Sequence, residues 1–330
     1  MNSNSSINTS FDVSGSLAGK RVDQVLAHYM PDYSRSRLQQ WLKAGFIQVD
    51  GRTPKPKEKV LGGEKITVQL QDALDDQAEE TWQAQAIPLD IVYEDESIIV
   101  INKPAGLVVH PGAGNSDGTL INALLHHAPE LSKLPRAGII HRIDKDTTGI
   151  LVIARDLAAH HQLTKQLQAR EFNREYQAIV GGVMTAGGTI DAPIGRHPTQ
   201  RIKMAVLESG HTAKEAITHY RVEKKFRSHT LVNVKLETGR THQIRVHMAH
   251  IKYPILGDLV YAGRLRIPTA ASEQFIEAIR SFKRQALHAR SLGFIHPAKD
   301  EYMEWSVDLP ADMLEIIRLL EEDLVSHENT

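Results

Sequence analysis

The stretch that determines the fold is HRIDKDTTG at residues 141–149, which runs directly into the apolar segment ILVIA at residues 150–154. Its first six positions place two carboxylates among three basic or potentially basic side chains, and the apolar segment is typical of a buried strand. A solvated turn rarely needs so many charges of both signs, whereas a reactive carboxylate needs cations beside it. We therefore predict a charged loop leading into a strand, with Asp144 as the catalytic carboxylate and Asp146 as its competitor. Taken alone, the motif also fits a surface salt-bridge turn.

The bulk composition fits an ordinary globular protein with two domains of unequal size. The chain has 330 residues, of which 41% are hydrophobic and 24% are charged. It has no apolar run of about 18 residues, so we expect no membrane span. It has no cysteine, which excludes disulfides, thiolate catalysis and cysteine-based metal sites. The absence of cysteine also fits the cytoplasm, where we expect the protein to act.

Charge is distributed unevenly although the net charge is only -1. Residues 15–70 carry ten basic and five acidic side chains, and residues 71–86 carry five acidic side chains with no basic one. Residues 1–14 are rich in Ser and Asn and lack the features of a signal peptide. We therefore predict a disordered tail at residues 1–14, a small basic domain at 15–72, an acidic linker at 73–86 and a catalytic domain at 87–325.

The basic domain shows the pattern of two helices followed by a hairpin. Apolar residues recur at helical spacing in 21–29 and 34–45, and short strands are predicted at 46–49 and 65–70 around an Asp-Gly turn. This arrangement resembles the small RNA-binding domain named for ribosomal protein S-four. The resemblance and the clustered charge imply RNA contacts from Arg35, Arg37 and Lys43. Such contacts to phosphates would give affinity and salt dependence rather than sequence choice. The alternative is a solvated basic face without a ligand.

The larger domain is predicted to be α+β with a mixed, mainly antiparallel sheet. Strands are indicated at 90–93, 98–101, 150–154, 176–180, 218–222 and 231–236, and helices at 119–127 and 157–169. Strands and helices do not alternate regularly, which argues against a doubly wound parallel fold.

Three histidines near residue 245 raise the possibility of a metal site. His242, His247 and His250 are spaced by five and three residues, but no Asp or Glu lies among them. Packing or RNA contact is therefore favoured over a metal, and no metal ion is expected. Thr241 is predicted to cap a helix that runs to residue 250 and carries Arg245 about one turn inside it.

Four segments, taken in order, resemble the pseudouridine synthases that modify large-subunit ribosomal RNA and tRNA. They are NKPAGLVVHP at 102–111, the charged motif at 141–149, REYQAIV at 174–180 and LETGRTHQIRVH at 236–247, with a later echo in QALHA at 285–289. The resemblance implies the pseudouridine synthase fold and an isomerase that needs no cofactor. It further implies a stem-loop of 23S ribosomal RNA, or its large-subunit precursor, as the substrate and partner, and a monomer as the working form.

The resemblance also implies a role for each matching residue. Asp144 would be the nucleophile, and Arg245 the cation that pairs with it. Tyr176 would stack on the uracil and, with the help of a partner, accept or relay the final proton. Arg142 would fill the gap that the flipped uridine leaves, and Leu287 would line the base pocket. The chain departs from the family pattern only by Ile for Leu and Thr for Ser beside the nucleophile, which are exchanges of similar volume.

Two other classes of protein stay open from the residues alone. One is a non-catalytic RNA-binding or assembly protein, which would hold ribosomal RNA with both domains. The other is a hydrolase that cleaves an N-glycosidic bond and releases the base. A hydrolase needs an activated water, and the sequence offers no second carboxylate clearly devoted to one.

Overall fold

The structure is a computed structural model that describes residues 7–30, 33, 35–70, 82–112, 115–200, 202–207 and 213–328. It divides into two compact units, Met1–Thr81 and Trp82–Thr330. Most of the predicted acidic linker, residues 73–81, lies outside the described residues. Residues 82–86 belong to the second unit instead, because the Gln85 amide donates to the carbonyl of Asn122 and the Asn122 side chain donates to the carbonyl of Gln83.

The amino-terminal unit contains the predicted pair of helices and hairpin. Its elements are β1 (Ile7–Asp12), α1 (Val22–Tyr29), α2 (Arg35–Ala44), β2 (Ile47–Val49) and β3 (Lys65–Leu70). The three strands form an antiparallel sheet in the order β1-β3-β2. The apolar faces of both helices supply the core, as Val25, Leu26, Leu38 and Leu42 are fully buried.

The prediction of a disordered tail over residues 1–14 is wrong for residues 7–12. These residues form β1 and pair with the whole of β3, from Ile7 opposite Leu70 to Asp12 opposite Lys65. The Ser- and Asn-rich composition suggested disorder, but the ladder hydrogen bonds of β1 need no apolar side chains. Phe11 adds a stacking contact on Tyr29 with ring centroids 5.2 Å apart.

The carboxy-terminal unit is built on a nine-stranded sheet with helices packed against it. The described strands of this unit are β4 (Ile91–Glu94), β5 (Ile98–Lys103), β6 (Thr148–Ala154), β7 (Asn173–Gly181), β8 (Gly188–Asp191), β9 (Ile194–Arg196), β10 (Met204–Val206), β11 (Ile217–Lys225), β12 (His229–Leu236), β13 (Leu287–Ile295) and β14 (Tyr302–Ser306). Of these, β9 and β10 form a separate two-stranded sheet. The helices of this unit are α3 (Leu120–His127), α4 (Leu157–Gln168), α5 (Gln243–His250), α6 (Glu273–Ser281) and α7 (Ala311–Glu328). Within the described ranges, no helix is long and apolar enough to cross a membrane.

The sheet order brings three of the family-like motifs, and the later echo at 285–289, to one place. Its strands run in the order β4-β5-β6-β13-β7-β12-β11-β8, with β14 on β13, and only β6 and β13 pair in parallel among the described strands. The charged loop that precedes β6 therefore lies beside the start of β13, where Leu287 is found. Tyr176 of β7 lies opposite Ala289 of β13, and β12 leads on to α5, which carries Arg245.

Gly149 allows the parallel pair to form. Its backbone has φ 110°, and a Cβ there would lie 2.1 Å from the carbonyl oxygen of Ala289 on β13. No side chain fits this approach, which explains why the charged motif ends in glycine before the strand continues.

We expect Gly149→Ala to destabilise the fold by more than about 3 kcal/mol, because backbone clash adds to the strained φ. Gly106→Ala is the matched control, since Gly106 has φ 83° but nothing within 4 Å of an added Cβ. The midpoints of urea unfolding measure both effects. Equal midpoints for the two variants would contradict the close approach of β6 and β13.

Candidate active site

A cleft of about 710 Å³ opens where β6, β7, β12 and β13 meet their loops. Its lining is rich in arginine and includes Arg136, Arg142, Arg170, Arg174, Arg240 and Arg245, against the two acidic residues Asp144 and Glu237. A concave surface with this excess of positive charge attracts a polyanion such as RNA. The few carboxylates within it are therefore candidates for chemistry rather than for binding.

Asp144 sits in this cleft and pairs with Arg245, which is 101 residues away in the chain. Arg245 Nη1 donates to Asp144 Oδ2 at 2.9 Å, and the side chains are 7% and 20% exposed, respectively. The partner cation is thus the distant arginine and not the adjacent Arg142 or Lys145. The partial exposure leaves the carboxylate accessible from the cleft, as a nucleophile requires.

Arg245 is held in turn by Asp258, which the sequence analysis did not single out. Arg245 Nε donates to Asp258 Oδ2 at 2.7 Å and Nη2 donates to Oδ1 at 2.9 Å. Asp258 also accepts from the backbone amides of Val260 and Tyr261 at 2.9 and 3.1 Å. Burial alone would raise the pKa of Asp258, but the hydrogen bonds and charge of Arg245 outweigh it and lower that pKa. The guanidinium therefore bridges two carboxylates, one structural and one facing the cleft.

Lys103 fixes the loop that carries Asp144. Its ammonium group is fully buried and donates to the carbonyls of Pro104, Leu107 and Lys145 at 2.7, 3.0 and 2.8 Å. Burial lowers the pKa of Lys103 to about 8, against the opposing charges of Asp146 and Asp144. The family-like segment at 102–111 thus holds the backbone of Lys145, the residue after Asp144, through the Lys103 hydrogen bond.

We expect Lys103→Met to destabilise the protein by about 2–4 kcal/mol, because the carbonyls of Pro104, Leu107 and Lys145 lose their charged donor. The folded chain binds fewer protons than the unfolded chain between pH 8 and the ordinary lysine value of 10.5. Stability of the unaltered chain should therefore rise with pH across that window, and this slope should vanish in the variant. Urea unfolding at several pH values measures both effects, with Lys145→Met as the control because that side chain is exposed. If Lys103→Met were as stable as Lys145→Met, the proposed role of Lys103 in holding the loop would be wrong.

Tyr176 and Leu287 both line the cleft, on adjacent strands. Tyr176 is 7% exposed and Leu287 is 4% exposed. Burial raises the pKa of Tyr176, Arg174 acts against this shift, and Asp144 adds to it. The phenol is therefore protonated at neutral pH. Arg174 was quoted in the sequence motif without a role, and its buried Nε has no hydrogen-bond partner among the described residues.

Arg142 and Asp146 occupy different surroundings in the charged motif. Arg142 is exposed, lines the cleft, and makes no hydrogen bond or ion pair with any residue that the structure describes. Asp146 does not line the cleft, and its backbone carbonyl accepts from Arg284 at 3.3 Å. This placement favours Asp144 over Asp146 as the reactive carboxylate.

His242, and not Thr241, is the residue at the amino end of α5. Its backbone is left-handed, with φ 58° and ψ 22°, and no side-chain cap bond is formed there, so the predicted threonine cap is wrong. The interpretation of His247 as a packed residue fits the structure, because its ring bonds Thr218 Oγ1 at 2.8 Å and the carbonyl of Ala192 at 2.9 Å. No metal-binding group of three ligands occurs among the described residues.

The predicted RNA contacts of the amino-terminal unit have mixed surroundings. Arg35 donates to the buried carboxylate of Asp23 at 2.8 Å, and Arg21 donates to the same carboxylate. The positive charge of Arg35 is therefore partly neutralised within the protein. Lys43 is exposed on α2. The side chain of Arg37 lies outside the part that the structure describes.

Comparison with known proteins gives a consistent family. Residues 97–250 match RNA pseudouridylate synthase, and residues 20–66 match the S4 domain. The chain is 55% identical over 307 residues to Ribosomal large subunit pseudouridine synthase D of Pseudomonas aeruginosa, covering 93% of this chain and 94% of that protein. A protein of the same name from Shigella flexneri is 54% identical over 318 residues, covering 96% and 95%. The solved structure of Human RNA Pseudouridylate Synthase Domain Containing 4 is 29% identical, with a TM-score of 0.56, covering 70% of this chain and 93% of that chain.

The chain therefore belongs to the RNA pseudouridylate synthase family. It is an RNA pseudouridine synthase, an isomerase, whose catalytic unit follows an S4 domain. The predicted family and the predicted α+β fold with a mainly antiparallel sheet are confirmed. The family assignment also decides against the non-catalytic protein and the hydrolase.

Proposed function

We propose that this chain converts specific uridines of a 23S ribosomal RNA stem-loop to pseudouridine, with Asp144 as nucleophile and with the target base flipped out of its stack. The observation that carries the proposal is the Asp144–Arg245 pair at 2.9 Å, in a cleft lined by six arginines. The names of the similar proteins from Pseudomonas aeruginosa and Shigella flexneri support the large-subunit RNA as substrate.

The base must leave its stack because the reacting sugar carbon is otherwise covered by neighbouring nucleotides. A cleft of about 710 Å³ is large enough for one nucleotide, since small-molecule sites typically span about 300–1,000 Å³. Arg142 is exposed at this cleft without an internal partner among the described residues, so its guanidinium is free to occupy the gap in the RNA. Flanking arginines would neutralise the phosphates on either side.

Asp144 would act on the sugar of the flipped uridine. The bond between N1 and C1′ breaks, the uracil turns over, and its C5 bonds to C1′. N1 gains a proton and C5 loses one, so no atom is gained or lost overall and no cofactor takes part. Attack on C1′ and abstraction of a sugar proton both need the Asp144 carboxylate held at the sugar, and the hydrogen bond from Arg245 to Oδ2 holds it there.

Tyr176 would hold the uracil by stacking. Its side chain is buried and lines the cleft, and burial raises the pKa of its hydroxyl, so a phenolate base at neutral pH is disfavoured. The raised pKa therefore supports a role in stacking over one in removing the C5 proton. Leu287, on the neighbouring strand, would contact the other side of the base pocket.

The amino-terminal unit would add affinity for RNA through its basic residues, among which Lys43 is exposed. Its contribution should be electrostatic and should weaken steeply with salt. Action as a monomer and in the cytoplasm stay predictions.

Chemical mapping of pseudouridine in cells that lack this gene tests the substrate. We expect one or more sites to be missing from a stem-loop of large-subunit RNA, and to return when the unaltered gene is supplied. Sites missing from tRNA alone would contradict the proposed substrate while leaving the reaction intact.

A further inference from the structure

His242 is a polar residue of the cleft to which the proposed reaction gives no role. It lies directly before α5 with a left-handed backbone, φ 58° and ψ 22°. This conformation costs a residue other than glycine about 1 kcal/mol or more, and residues strained in this way cluster at active sites. Its side chain is 21% exposed and lines the cleft together with Asp144.

The hydrogen bonds of Tyr261 favour the His242 tautomer that carries its proton on Nε2. The Tyr261 hydroxyl oxygen accepts from the backbone amide of Met204 at 2.8 Å and lies 2.8 Å from His242 Nδ1. Within the described residues that hydroxyl has no other acceptor, which favours donation of its proton to Nδ1. Burial lowers the pKa of His242, against the opposing charge of Asp144, so the ring is neutral at pH 7. A neutral ring that accepts at Nδ1 has its own proton on Nε2.

The protonated Nε2 and the free carboxylate oxygen of Asp144 face one another at a distance that suits a bridging group. Nε2 lies 3.9 Å from Asp144 Oδ1, too far for a direct hydrogen bond. Oδ2 of the same carboxylate is already taken by Arg245. A hydroxyl oxygen about 2.8 Å from both atoms would accept from Nε2 and donate to Oδ1.

We propose that His242 recognises the ribose of the target nucleotide by donating from Nε2 to its 2′-hydroxyl, which donates in turn to Asp144. The inference rests on the proposed function, because it assumes that a uridine enters this cleft. The 2′-carbon is bonded to C1′, so a 2′-hydroxyl seated here holds C1′ next to the carboxylate. Because deoxyribose lacks this hydroxyl, the contact would also select RNA over DNA.

The test is a double-mutant cycle in which His242 of the protein and the 2′-hydroxyl of the target nucleotide are removed separately and together. Single-turnover rates are measured on an RNA stem-loop that carries either uridine or 2′-deoxyuridine at one modified position. His242→Asn keeps a side chain that tolerates the left-handed backbone, but its short amide does not reach the position of Nε2. His242→Gln places an amide N–H close to that position and is the conservative variant.

We expect 2′-deoxyuridine to slow the unaltered chain by about 10- to 100-fold, as for a lost hydrogen bond to a charged network. His242→Asn should slow the ribose substrate by a similar factor, and the deoxy substitution should then cost less than about threefold more. His242→Gln should regain most of the ribose rate. Tyr261→Phe removes the hydroxyl that donates to His242 Nδ1, so the proton of the ring is no longer held on Nε2. This variant should lower the rate on the ribose substrate and leave the rate on the deoxyribose substrate nearly unchanged.

Equal rates of the unaltered chain on the two substrates would overturn the inference. So would an equal rate loss from the deoxy substitution in His242→Asn and in the unaltered chain. His161→Asn is the control, because His161 is exposed and does not line the cleft. The proposed function is read separately, from modification of the ribose stem-loop by the unaltered chain and its loss in Asp144→Asn. If the unaltered chain modifies the ribose stem-loop, Asp144→Asn does not, and the ribose and deoxyribose rates are equal, the proposed function stands and the role of His242 is wrong.

Discussion

Replacing Asp144 by Asn should abolish pseudouridine formation, with a loss of at least about 10³-fold in single-turnover rate, because an amide neither attacks a sugar carbon nor removes its proton. Folding should be nearly unchanged. Arg245 keeps its two hydrogen bonds to Asp258, and the amide oxygen of Asn can still accept from Nη1. Binding of the RNA stem-loop should also stay within a few-fold, since the arginines of the cleft are untouched.

Asp146→Asn is the matched control for that variant. Asp146 belongs to the same loop and has the same chemistry, but it does not line the cleft. We expect its rate to stay within about threefold of the unaltered chain, which is a change of less than about 1 kcal/mol in the barrier. If Asp144→Asn retained modification, or if Asp146→Asn lost it, the assignment of the nucleophile would be wrong.

Asp258→Asn should have the second largest effect, on both stability and rate. Breaking a buried ion pair typically costs about 3–5 kcal/mol, and the Asp258 side chain is fully buried against Arg245. A guanidinium that is no longer held by two parallel bonds would also orient Asp144 less well. A misplacement of about 1 Å can cost about 100-fold in rate, so we expect a loss of about 10- to 100-fold.

The control for Asp258 is Asp312→Asn, because Asp312 forms an equally bidentate pair with Arg284, at 2.7 and 2.6 Å. That carboxylate is 47% exposed, so its loss should cost under about 1 kcal/mol and leave the rate unchanged. Thermal unfolding and single-turnover rates measure both variants. Equal destabilisation by the two substitutions would contradict the argument from burial.

The Asp258 pair also predicts a dependence of stability on pH. Its folded pKa is lowered, so the pair contributes stability that is fully present above the ordinary value of 3.8 and is lost as pH falls through the folded pKa. Asp258→Asn should lack this part of the acid destabilisation, so its deficit relative to the unaltered chain should shrink as the pH falls below about 4.

The sequence predicted the centre of the site well because its chemistry is local to motifs. The charged loop, the strand after it and the pairing of Asp144 with Arg245 follow from residue types and from a family resemblance in which their order is kept. The helix at Arg245 was expected, with Thr241 as its cap. Its first residue was not, because a threonine usually caps better than a strained histidine.

The parts that the sequence did not predict depend on contacts made only in the folded chain. Asp258 lies in an irregular segment without periodicity, and nothing in the sequence indicated that Arg245 would reach it. Tyr261 shares this segment, and its bond to His242 spans 19 residues. Strand β1 escaped prediction because its partner strand begins at Lys65, so its stability comes from distant backbone pairing. The parallel pair of β6 and β13 joins residues that are 140 positions apart in the chain. The glycine at position 149 is the one sequence feature that reflects the close approach of these strands.

The proposed reaction at Asp144 is tested most directly by incubating unmodified large-subunit ribosomal RNA with the purified chain. Mass spectrometry of the digested RNA then counts pseudouridine, and chromatography of the supernatant counts free uracil. We predict pseudouridine at discrete positions of a stem-loop, no free uracil, and no product of either kind with Asp144→Asn. Release of uracil, or pseudouridine formed equally well by Asp144→Asn, would contradict it.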